Sequence, residues 1–595
     1  MPASTHDVVH RQHAGFDALE PLSERLLCPL GTRLYQRQYA ALYDFRLRVL
    51  RKRVEKRAAA KWAEIDAAER VHSQLRSESQ SQLDIDGEDE EEEQEEQQQQ
   101  DEEGEANRMD EDAIDDKGKR RNGRGLSQSS SSALASTADG PLEPPKHVKR
   151  ILDINQGEVC YIIGTIYCAM PLKPDVLEDL TREQWLPPQP LREKYIDPER
   201  DQLYLEDESG RIRLVGEPLK WGHEAKLRNM CVTGIIVAVL GTETRHGDFT
   251  VADIVFPSLP PSSGPVPDKA KDEEDEDGDE DVTMGEGGKD RWLALVSGLE
   301  LGPSSTSDTD VADGSVAKTE AEAPPPPPPV GDKKHANGHV SNNSSLTPDV
   351  RAQLLTELLT GELGDEDERL QSANIVGLVV AGNSMAKPIR VDEERKHRKF
   401  GAAAAAASTA RPTLALDQFL TDISATMDVF ILPGERDPTS LALPQQPIHF
   451  ALLPRASRFE NCRRLTNPAW LGVGGRRILG TSGQNVDDIF KYAEEGDDAR
   501  VQMAARTLDW GHVAPTAPDT LWCYPFNTDD PFLIRDAPDV YFVGNQPTFG
   551  TMLYESPDGH QTRVVLLPRF SQTGDVVLVN LRTLETELVN VGTAL

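Results

Sequence analysis

A buried apolar strand that ends in a charged glycine turn constrains this fold more than any other feature. The segment from Val429 to Ile489 opens with a predicted strand at 429–433 and continues into a turn at 434–437. Layered α/β proteins normally place their chemistry where such a strand meets such a turn. Gly434 is expected to need a backbone angle that β-branched residues avoid. The sequence therefore predicts a candidate catalytic site at this strand end, and the residue types in its turns determine whether it can catalyse a reaction.

Strands and helices alternate through the C-terminal half of the chain. Apolar runs at 292–296 and 374–381 predict strands buried on both faces, and further strands are predicted at 477–480, 540–543, 563–567 and 576–580. Helices are predicted at 347–361, with Thr347 as N-cap and Gly361 as the end, and at 414–427. The pattern predicts a layered α/β domain over residues 291–595, with a disordered insertion at 303–345.

Short strands around glycine turns predict an all-β domain upstream. The predicted strands are at 158–170, 202–205, 212–215, 230–240 and 249–256, with almost no helix between them. This spacing fits a five-stranded OB barrel over residues 148–262. Such barrels often bind single-stranded nucleic acid by stacking bases on aromatic side chains. The predicted strands offer few aromatic residues beside basic ones, and Tyr161, Tyr167 and Tyr204 are expected to pack. A protein-binding role is therefore favoured over nucleic-acid binding.

The N-terminal segment, residues 1–76, is predicted to be irregular up to residue 33 and helical from Leu34. Its predicted apolar face repeats every three or four residues and consists of Tyr35, Tyr39, Leu42, Phe45 and Val49. The opposite face is basic and consists of Arg46, Arg48, Arg51, Lys52 and Arg53. This face is either a nucleic-acid contact or a solvated surface, and the solvated surface is favoured.

The acidity of the chain is concentrated in two runs. The 595 residues carry a formal net charge of −37, of which residues 84–116 contribute −18 and residues 272–290 contribute −10. Runs of this composition repel themselves and bury little, so disordered linkers are predicted at 77–147 and 263–290. A basic cluster at 117–124 is either a nuclear import signal or plain linker. No strongly basic domain remains for tight, independent nucleic-acid binding.

Several classes of site are excluded by missing motifs. The six cysteines form no CxxC pair, which argues against a thiolate zinc site, and no run reaches the ~18 apolar residues of a membrane span. An intracellular protein without membrane contact is expected. Nucleophile elbows, Walker loops and strand-linked GxGxxG motifs are also absent. His449, His512 and His560 lie outside the strand-end turns and are interpreted as structural.

Four predicted strand ends follow one another in the order found in calcineurin-like metallophosphoesterases, which the C-terminal domain therefore resembles. That family folds as a two-sheet sandwich with outer helices and holds two metal ions with carboxylates and imidazoles. The positions corresponding to its metal ligands are Gly298, Glu300, Asn383, Glu435, Arg436, Asp437, Asn545 and Pro547. In this sequence, none of these eight positions is a histidine, and Asp437 is the one aspartate among them.

These replacements imply an inactive site. Glycine and proline offer no ligand atom, asparagine is a weak ligand, and Arg436 brings a fixed positive charge into the pocket. The two remaining carboxylates, Glu300 and Asp437, are expected to form an ion pair with that arginine. We therefore expect no bound metal, no cofactor and no catalytic residue.

An OB barrel followed by a phosphoesterase-like domain without ligands resembles the B-subunits of eukaryotic replicative DNA polymerases. Within them, the closest resemblance is to the small (second, B-type) regulatory subunits of DNA polymerase delta. The motifs that carry it are PGERDPT at 433–439, LPQQPIH at 443–449, LGTSGQNV at 479–486 with DIF at 488–490, PTAPDT at 515–520, CYPF at 523–526 and FVGNQP at 542–547. The acidic and proline-rich insertions fall outside the resemblance.

The resemblance implies a nuclear, non-catalytic subunit acting in DNA replication and repair. It would hold the C-terminal metal-binding domain of the catalytic subunit, carry the third, PCNA-linked subunit, and reach PCNA and DNA only indirectly. The polar motif loops either present an interface or stabilise the altered site. Two alternatives remain, an active metal-dependent phosphoesterase or nuclease and an independent single-strand DNA-binding OB protein.

Overall fold

The computed structural model describes residues 11–29, 31, 33–63, 145–174, 192–222, 226–264, 266–268, 290–302, 346–386 and 401–592. The insertion at 303–345, the basic cluster at 117–124, and most of the linkers at 77–147 and 263–290 lie outside the described residues. None of the described helices has the length and apolar character needed to cross a bilayer.

The N-terminal segment takes part in both domains. It contains β1 (Phe16–Asp17), α1 (Glu20–Ser23) and α2 (Ala40–Trp62). The prediction of irregular chain up to residue 33 is wrong at β1, because Phe16 pairs with Val473 in a sheet of the C-terminal domain. A two-residue strand has no periodicity to detect, so only its distant partner reveals it.

Helix α2 buries a different face from the predicted one. It begins at Ala40 rather than Leu34, and Tyr35 is 64% exposed. Its buried side chains are Leu42, Arg46, Leu47, Leu50, Val54, Ala58 and Trp62. Most of them pack on the outside of the barrel. The two faces differ because Arg46 occupies a fully buried position, whereas hydrophobic periodicity assigns arginines to the solvent side.

A closed barrel follows the N-terminal segment. Its elements are β2 (Lys146–Val148), β3 (Val159–Ala169), β4 (Gln202–Glu206), β5 (Arg211–Val215), α3 (Lys226–Asn229), β6 (Ile236–Glu243) and β7 (Asp248–Val255). The strand order is β2-β3-β4-β5-β7-β6, and pairing of β3 with β6 closes the sheet. The five predicted strands are present, and β2 adds a short sixth strand parallel to β3.

Strand β3 closes the barrel because it is shared between two partners. Its first half pairs with β6 and its second half with β4, and Thr165 pairs with both. Gly164 lies at this change of partner, where a Cβ atom would stand 2.6 Å from the Glu206 carbonyl oxygen. This glycine inside the strand therefore marks a close backbone approach that a larger residue would prevent.

The C-terminal domain contains two six-stranded sheets. Its strands are β8 (Trp292–Val296), β9 (Ile375–Ala381), β10 (Asp428–Leu432), β11 (Cys462–Arg464), β12 (Ala469–Val473), β13 (Arg476–Thr481), β14 (Val540–Gln546), β15 (Gly550–Glu555), β16 (Gln561–Pro568), β17 (Asp575–Asn580) and β18 (Thr586–Asn590). The sheet orders are β11-β10-β9-β8-β17-β18 and β1-β12-β13-β14-β16-β15. The predicted buried strands all occur, and β8, β9 and β10 are parallel neighbours.

The two sheets pack face to face, with helices on their outer sides. One apolar core joins Leu295 and Phe430 of the first sheet to Leu471 and Phe542 of the second. The helices are α4 (Pro348–Thr360), α5 (Glu366–Ala373), α6 (Gly401–Ser424), α7 (Gln484–Phe490), α8 (Arg500–Asp509) and α9 (Phe570–Thr573). Sheets buried on both faces explain why their strands read as continuous apolar runs.

Helix α4 begins and ends where the sequence predicts, but the expected side-chain cap is missing at its start. Thr347 occupies the N-cap position, yet its side chain makes no capping hydrogen bond. Gly361 ends the helix with φ of 77°, a left-handed angle that glycine adopts without strain. The backbone preference of glycine therefore explains the C-terminal end of this helix, whereas side-chain capping does not explain its N-terminal end.

A buried charged cluster joins α2, the barrel and the C-terminal domain. Arg46 is fully buried and its Nε lies 2.8 Å from Oδ2 of Asp530, which His512 Nε2 also approaches at 2.9 Å. The Arg46 guanidinium also donates to three carbonyl oxygens, those of Gly234, Pro515 and Ala517. The buried cation thus finds acceptors on several parts of the chain, which offsets its desolvation.

The charges of this cluster are stabilised mutually. Burial and the nearby Arg46 charge lower the pKa of His512 to about 4. Burial alone would raise the pKa of Asp530, but His512 and Arg46 hold it well below its ordinary value. At neutral pH the cluster is therefore a buried arginine–aspartate ion pair with a neutral histidine. This histidine is structural, as predicted.

Replacing Arg46 should destabilise the whole protein. We expect Arg46→Ala to lower the free energy of unfolding by about 3–5 kcal/mol, because Asp530 would be left buried without its partner. Arg48→Ala, two residues along α2, removes only an exposed pair with Asp44 and should cost less than about 1 kcal/mol. Urea denaturation followed by circular dichroism measures both, and equal losses would contradict the role of the buried cluster.

Candidate functional site

The carboxyl ends of four strands meet at one edge of the sandwich. Strands β8, β9 and β10 end side by side, and β14 reaches them from the opposing sheet. Gly298 N donates to the Gly382 carbonyl oxygen at 2.9 Å, and Asn545 N donates to Ser297 Oγ at 2.8 Å. Turns that are far apart along the sequence are thus in direct contact at this edge.

Left-handed backbone conformations are concentrated in these turns. Glu300, Asn383 and Asn545 have φ of 50°, 52° and 57°. A non-glycine residue in this region costs of order 1 kcal/mol or more and persists only where its surroundings hold it. The edge is therefore a constrained structure, of the kind that proteins usually keep at functional positions.

Glu300 and Arg436 form an ion pair across the edge. Both side chains are 21% exposed, so the pair is partly shielded from water. Asn383 Oδ1 accepts a hydrogen bond from the backbone N–H of Arg436 at 3.0 Å, which holds the turn that carries the arginine. Of the two carboxylates predicted to pair with Arg436, Glu300 therefore does so.

Asp437 differs from its prediction, because it faces backbone N–H groups rather than Arg436. Its carboxylate accepts hydrogen bonds from Gly434 N at 2.8 Å, Ser384 N at 2.9 Å and Met385 N at 3.2 Å. Burial nevertheless raises the pKa of Asp437 to about 6. The carboxylate thus ties the turn after β10 to the turn after β9, while Arg436 pairs with Glu300 instead.

Gly434 confirms the predicted need for glycine, but for another reason. Its φ lies outside the left-handed region, so the expectation of an unusual backbone angle is wrong. A Cβ atom at Gly434 would instead overlap the backbone nitrogen of Asn383. The requirement comes from the close approach of two strand ends, which the sequence alone does not display.

The remaining predicted positions either are exposed at the surface or pack closely against their neighbours. Glu435 and Pro547 are exposed, and a Cβ atom on Gly298 would stand 2.9 Å from Asn545 Oδ1. Asn545 Nδ2 donates to the carbonyl oxygens of Ala381 and Ser482. Within the described part of the chain, no three His, Cys, Asp or Glu side chains are grouped to hold a metal ion.

Side-chain amides and a hydroxyl link the motif loops beside this edge. Asn467 Nδ2 lies 2.8 Å from Gln445 Oε1 and 2.8 Å from Ser482 Oγ, and Gln484 Nε2 lies 3.0 Å from Gln445 Oε1. Gln445 also donates to the Gly434 carbonyl oxygen at 3.0 Å. These buried contacts favour the stabilising interpretation of the polar motifs. Asn467 was missed by the sequence analysis, although an Asn-Pro dipeptide signals a turn.

Two further histidines lie away from the strand ends. His560 contacts the Pro538 carbonyl oxygen at 2.9 Å, and His449 accepts from Ala451 N at 3.3 Å as the N-cap of a short 3₁₀ helix. Both contacts are local to turns, which agrees with a structural role.

An exposed apolar patch lies where the N-terminal segment meets the C-terminal domain. Trp522 and Leu441 are each 67% exposed, and Tyr35 is 64% exposed. The segments that carry them are joined, since Leu443 N donates to the Trp522 carbonyl oxygen and the Tyr35 ring lies 5.5 Å from that of Tyr524. We call Tyr35, Leu441, Trp522 and Tyr524 the aromatic patch. Grouped exposed aromatics of this kind mark protein-binding surfaces.

Both halves of the chain match known families. Residues 38–254, which include α2 and the barrel, match the family described as DNA polymerase delta subunit OB-fold domain. Residues 336–551 match the family described as the B-subunit of DNA polymerase alpha/epsilon. The barrel is therefore an OB-fold domain, followed by a B-subunit domain of mixed sheets and helices.

Full-length relatives agree with these matches. The DNA polymerase delta small subunit of Arabidopsis thaliana is 35% identical over 446 residues, covering 75% of this chain and 85% of the relative. The small subunit of Oryza sativa is 32% identical, covering 76% and 88%, and that of Saccharomyces cerevisiae is 31% identical, covering 74% and 81%. The resemblance inferred from the motifs is confirmed, and the chain belongs to the family of DNA polymerase delta small subunits.

Proposed function

We propose that this protein is a non-catalytic scaffold subunit of a nuclear DNA polymerase delta complex, acting in DNA replication and repair. The observation that carries the proposal is that the strand-end carboxylates are already bound by the protein itself. Glu300 is paired with Arg436, and Asp437 is held by three backbone N–H groups. Neither carboxylate is left to bind a substrate or an ion.

The residues present do not fit the two-metal centre of a phosphoesterase. A metal ligand needs free lone pairs on its oxygens. The carboxylate of Asp437 already accepts hydrogen bonds from three backbone N–H groups. Arg436 adds a guanidinium where such a centre needs a neutral ligand. We therefore derive no hydrolytic step for this edge.

As a scaffold, the protein binds the C-terminal metal-binding domain of the catalytic subunit and the third subunit, through which PCNA and DNA are reached. The aromatic patch supports this role, because exposed tryptophan and tyrosine side chains supply most of the energy at many protein interfaces. The segments that carry the patch pack on a shared apolar cluster that includes Leu42, Leu443 and Cys523, and Tyr39 Oη donates to the Cys523 carbonyl oxygen at 2.8 Å. Little ordering cost is then needed on binding.

Replacing Trp522 should weaken binding of the catalytic subunit. We expect Trp522→Ala to lower the affinity for the C-terminal domain of that subunit about tenfold or more, the effect typical of an interface anchor. Leu553→Ala, at an exposed position on β15 away from the patch, is the matched control and should change affinity less than about twofold. Titration calorimetry with purified proteins measures both, and wild-type affinity of Trp522→Ala would reject the patch as the interface.

The non-catalytic assignment predicts no metal-dependent turnover. The purified chain with Mn²⁺ should hydrolyse a chromogenic phosphodiester no faster than its Glu300→Ala variant, because Glu300 is held in an ion pair. Glu587→Ala, at an exposed position on β18 outside the strand-end turns, controls for contaminating hydrolases. Turnover that Glu300→Ala abolishes and Glu587→Ala preserves would establish the phosphoesterase alternative instead.

The buried Asp437 predicts a specific dependence of stability on pH. Its folded pKa of about 6 lies above the ordinary unfolded value of about 4, so the folded state binds the extra proton between these values. Raising the pH through this window should therefore destabilise the wild type by about 2–3 kcal/mol relative to Asp437→Asn. Urea unfolding of both proteins at several pH values checks this, and parallel pH profiles would contradict it.

A further inference from the structure

Four basic side chains of helix α2 have no carboxylate partner in the described part of the chain. They are Lys52, Arg53, Lys56 and Arg57, which lie on successive turns of the helix and are at least partly exposed. Acidic residues outnumber basic ones in this protein by 101 to 64, so a cation is expected to find a carboxylate nearby. We call these four residues the basic ridge, because their positive charge remains uncompensated.

Elsewhere on α2 the exposed cations are paired. Arg51 lies 2.9 Å from Glu208, and Lys61 lies 2.7 Å from Asp253. Arg46, which the sequence pattern placed on the basic face, is buried in its own cluster. The basic face expected from the sequence therefore divides into buried, paired and unpaired residues, and the surface charge that is available to a ligand belongs to the basic ridge.

The two arginines of the basic ridge are held in place by backbone carbonyl groups. Arg53 donates to the Ser258 carbonyl oxygen at 3.0 Å, and Arg57 donates to the Phe256 carbonyl oxygen at 2.6 Å. Carbonyl oxygens orient a guanidinium group but carry no net charge. Burial, together with the positive charge of Arg535, lowers the pKa of Arg53 to about 10. An arriving oxyanion would therefore meet a cation that is already oriented and partly desolvated.

A groove of about 610 Å³ lies beside the basic ridge, between α2, the chain that follows β7 and the turn after β15. Arg53, Lys56 and Arg57 belong to its lining. Among the described residues, the lining includes one carboxylate, that of Asp558, and no aromatic side chain. The groove thus offers cations and aliphatic surface, but no ring on which a base could stack. Its apolar lining consists of Ala60, Val255, Pro257, Leu259, Pro261 and Pro557.

The chemistry of this surface favours a stiff polyanion over a flexible one. Single-stranded nucleic acid gains much of its binding energy from stacking on aromatic side chains, which the described lining of the groove lacks. An acidic polypeptide must be ordered on binding, at a cost in backbone and side-chain entropy. Duplex DNA is already rigid on this length scale and carries one negative charge per about 1.7 Å of its axis. Its deoxyribose rings also present aliphatic C–H groups to an aliphatic floor.

We propose that the basic ridge and the groove beside it bind the sugar–phosphate backbone of duplex DNA, independently of its base sequence. Arginine side chains bind a phosphate through two parallel N–H groups, and lysine side chains add point charges. Contacts to phosphates position a protein on a duplex without reading its sequence. The inference goes beyond the scaffold role, because it gives this subunit a direct contact with DNA through residues outside the strand-end site and the aromatic patch.

The negative charge of the whole chain does not prevent such a contact. Residues 84–116 and 272–290 contribute −18 and −10 of the net charge of −37, so the rest of the chain carries only a small excess of acid. At an ionic strength of about 0.1 M, exposed charges farther apart than about 10 Å are largely screened from one another. The local charge of the basic ridge therefore determines binding, and contacts to about four phosphates predict a modest affinity that depends strongly on salt.

Binding of a fluorescently labelled duplex to the isolated full-length chain tests the proposal. With a duplex of about 20 base pairs, roughly two helical turns, we expect a Kd on the order of 1 µM at about 50 mM NaCl, measured by fluorescence anisotropy. Contacts to about four phosphates predict a roughly hundredfold weaker affinity at about 200 mM NaCl. Absence of binding at the lower salt concentration, or an affinity that salt leaves unchanged, would overturn the proposal. Because the partner proteins are absent from this experiment, its failure would leave the scaffold role untouched.

Two matched charge reversals in the full chain locate the contact. Lys52→Glu with Lys56→Glu, both at exposed positions, should weaken duplex binding at least about tenfold and make it less dependent on salt. Lys146→Glu with Lys149→Glu changes the net charge equally at two exposed positions on and beside β2, and should alter the affinity less than about threefold. Lys52→Ala with Lys56→Ala introduces no repulsive charge and should still weaken binding several-fold. Equal effects of the two charge reversals would overturn the basic ridge as the site.

Competing probes distinguish the class of ligand. Unlabelled duplexes of unrelated sequence should displace the labelled duplex at similar concentrations, because backbone contacts carry no sequence information. An oligothymidylate with the same number of phosphates and a poly-L-glutamate of the same charge should each require at least about fivefold higher concentrations. If either competitor is more effective than the duplex, and Lys52→Glu with Lys56→Glu removes its binding, the surface is a site for single strands or acidic polypeptides and the proposal fails.

Discussion

The ion pair of Arg46 with Asp530 is the interaction on which the arrangement of this molecule depends. One guanidinium reaches a carboxylate of the C-terminal domain and carbonyl oxygens of both the barrel and the loop at 515–517. A buried ion pair of this kind contributes little net stability compared with apolar packing, but breaking it is costly. It therefore specifies how the helix, the barrel and the sandwich sit together, rather than merely adding to their stability.

That arrangement also brings the segments of the aromatic patch together. The patch combines Tyr35 from the N-terminal segment, whose ring lies 5.5 Å from that of Tyr524, with Trp522 from the C-terminal domain. Its geometry therefore depends on how the N-terminal segment packs against the C-terminal domain. The buried Arg46–Asp530 pair joins these two parts, which links the stability of the molecule to its proposed role in assembly.

The side chains at the strand-end edge serve structural contacts. Glu300, Asn383 and Asn545 have left-handed backbone conformations, and their side chains bind one another's turns or the backbone. Such strained turns persist because neighbouring hydrogen bonds hold them. The carboxylate of Asp437 joins two strand ends, and the linked amides of Gln445 and Asn467 support the same turn from the other side.

The sequence by itself determined the strands, their glycine turns, the order in which they follow one another and the lack of histidine in the four turns at their ends. Those features are local, and the apolar runs and motifs around β8, β9, β10 and β14 display them directly. Only the tertiary structure decided that Arg46 is buried, that Asp437 binds backbone N–H groups instead of Arg436, and that Asn467 completes the linked amides. The reason is physical: a polar side chain takes its role from the partner it meets in space, and residues such as Arg46 and Asp530, 484 positions apart, carry no sign of one another in the sequence.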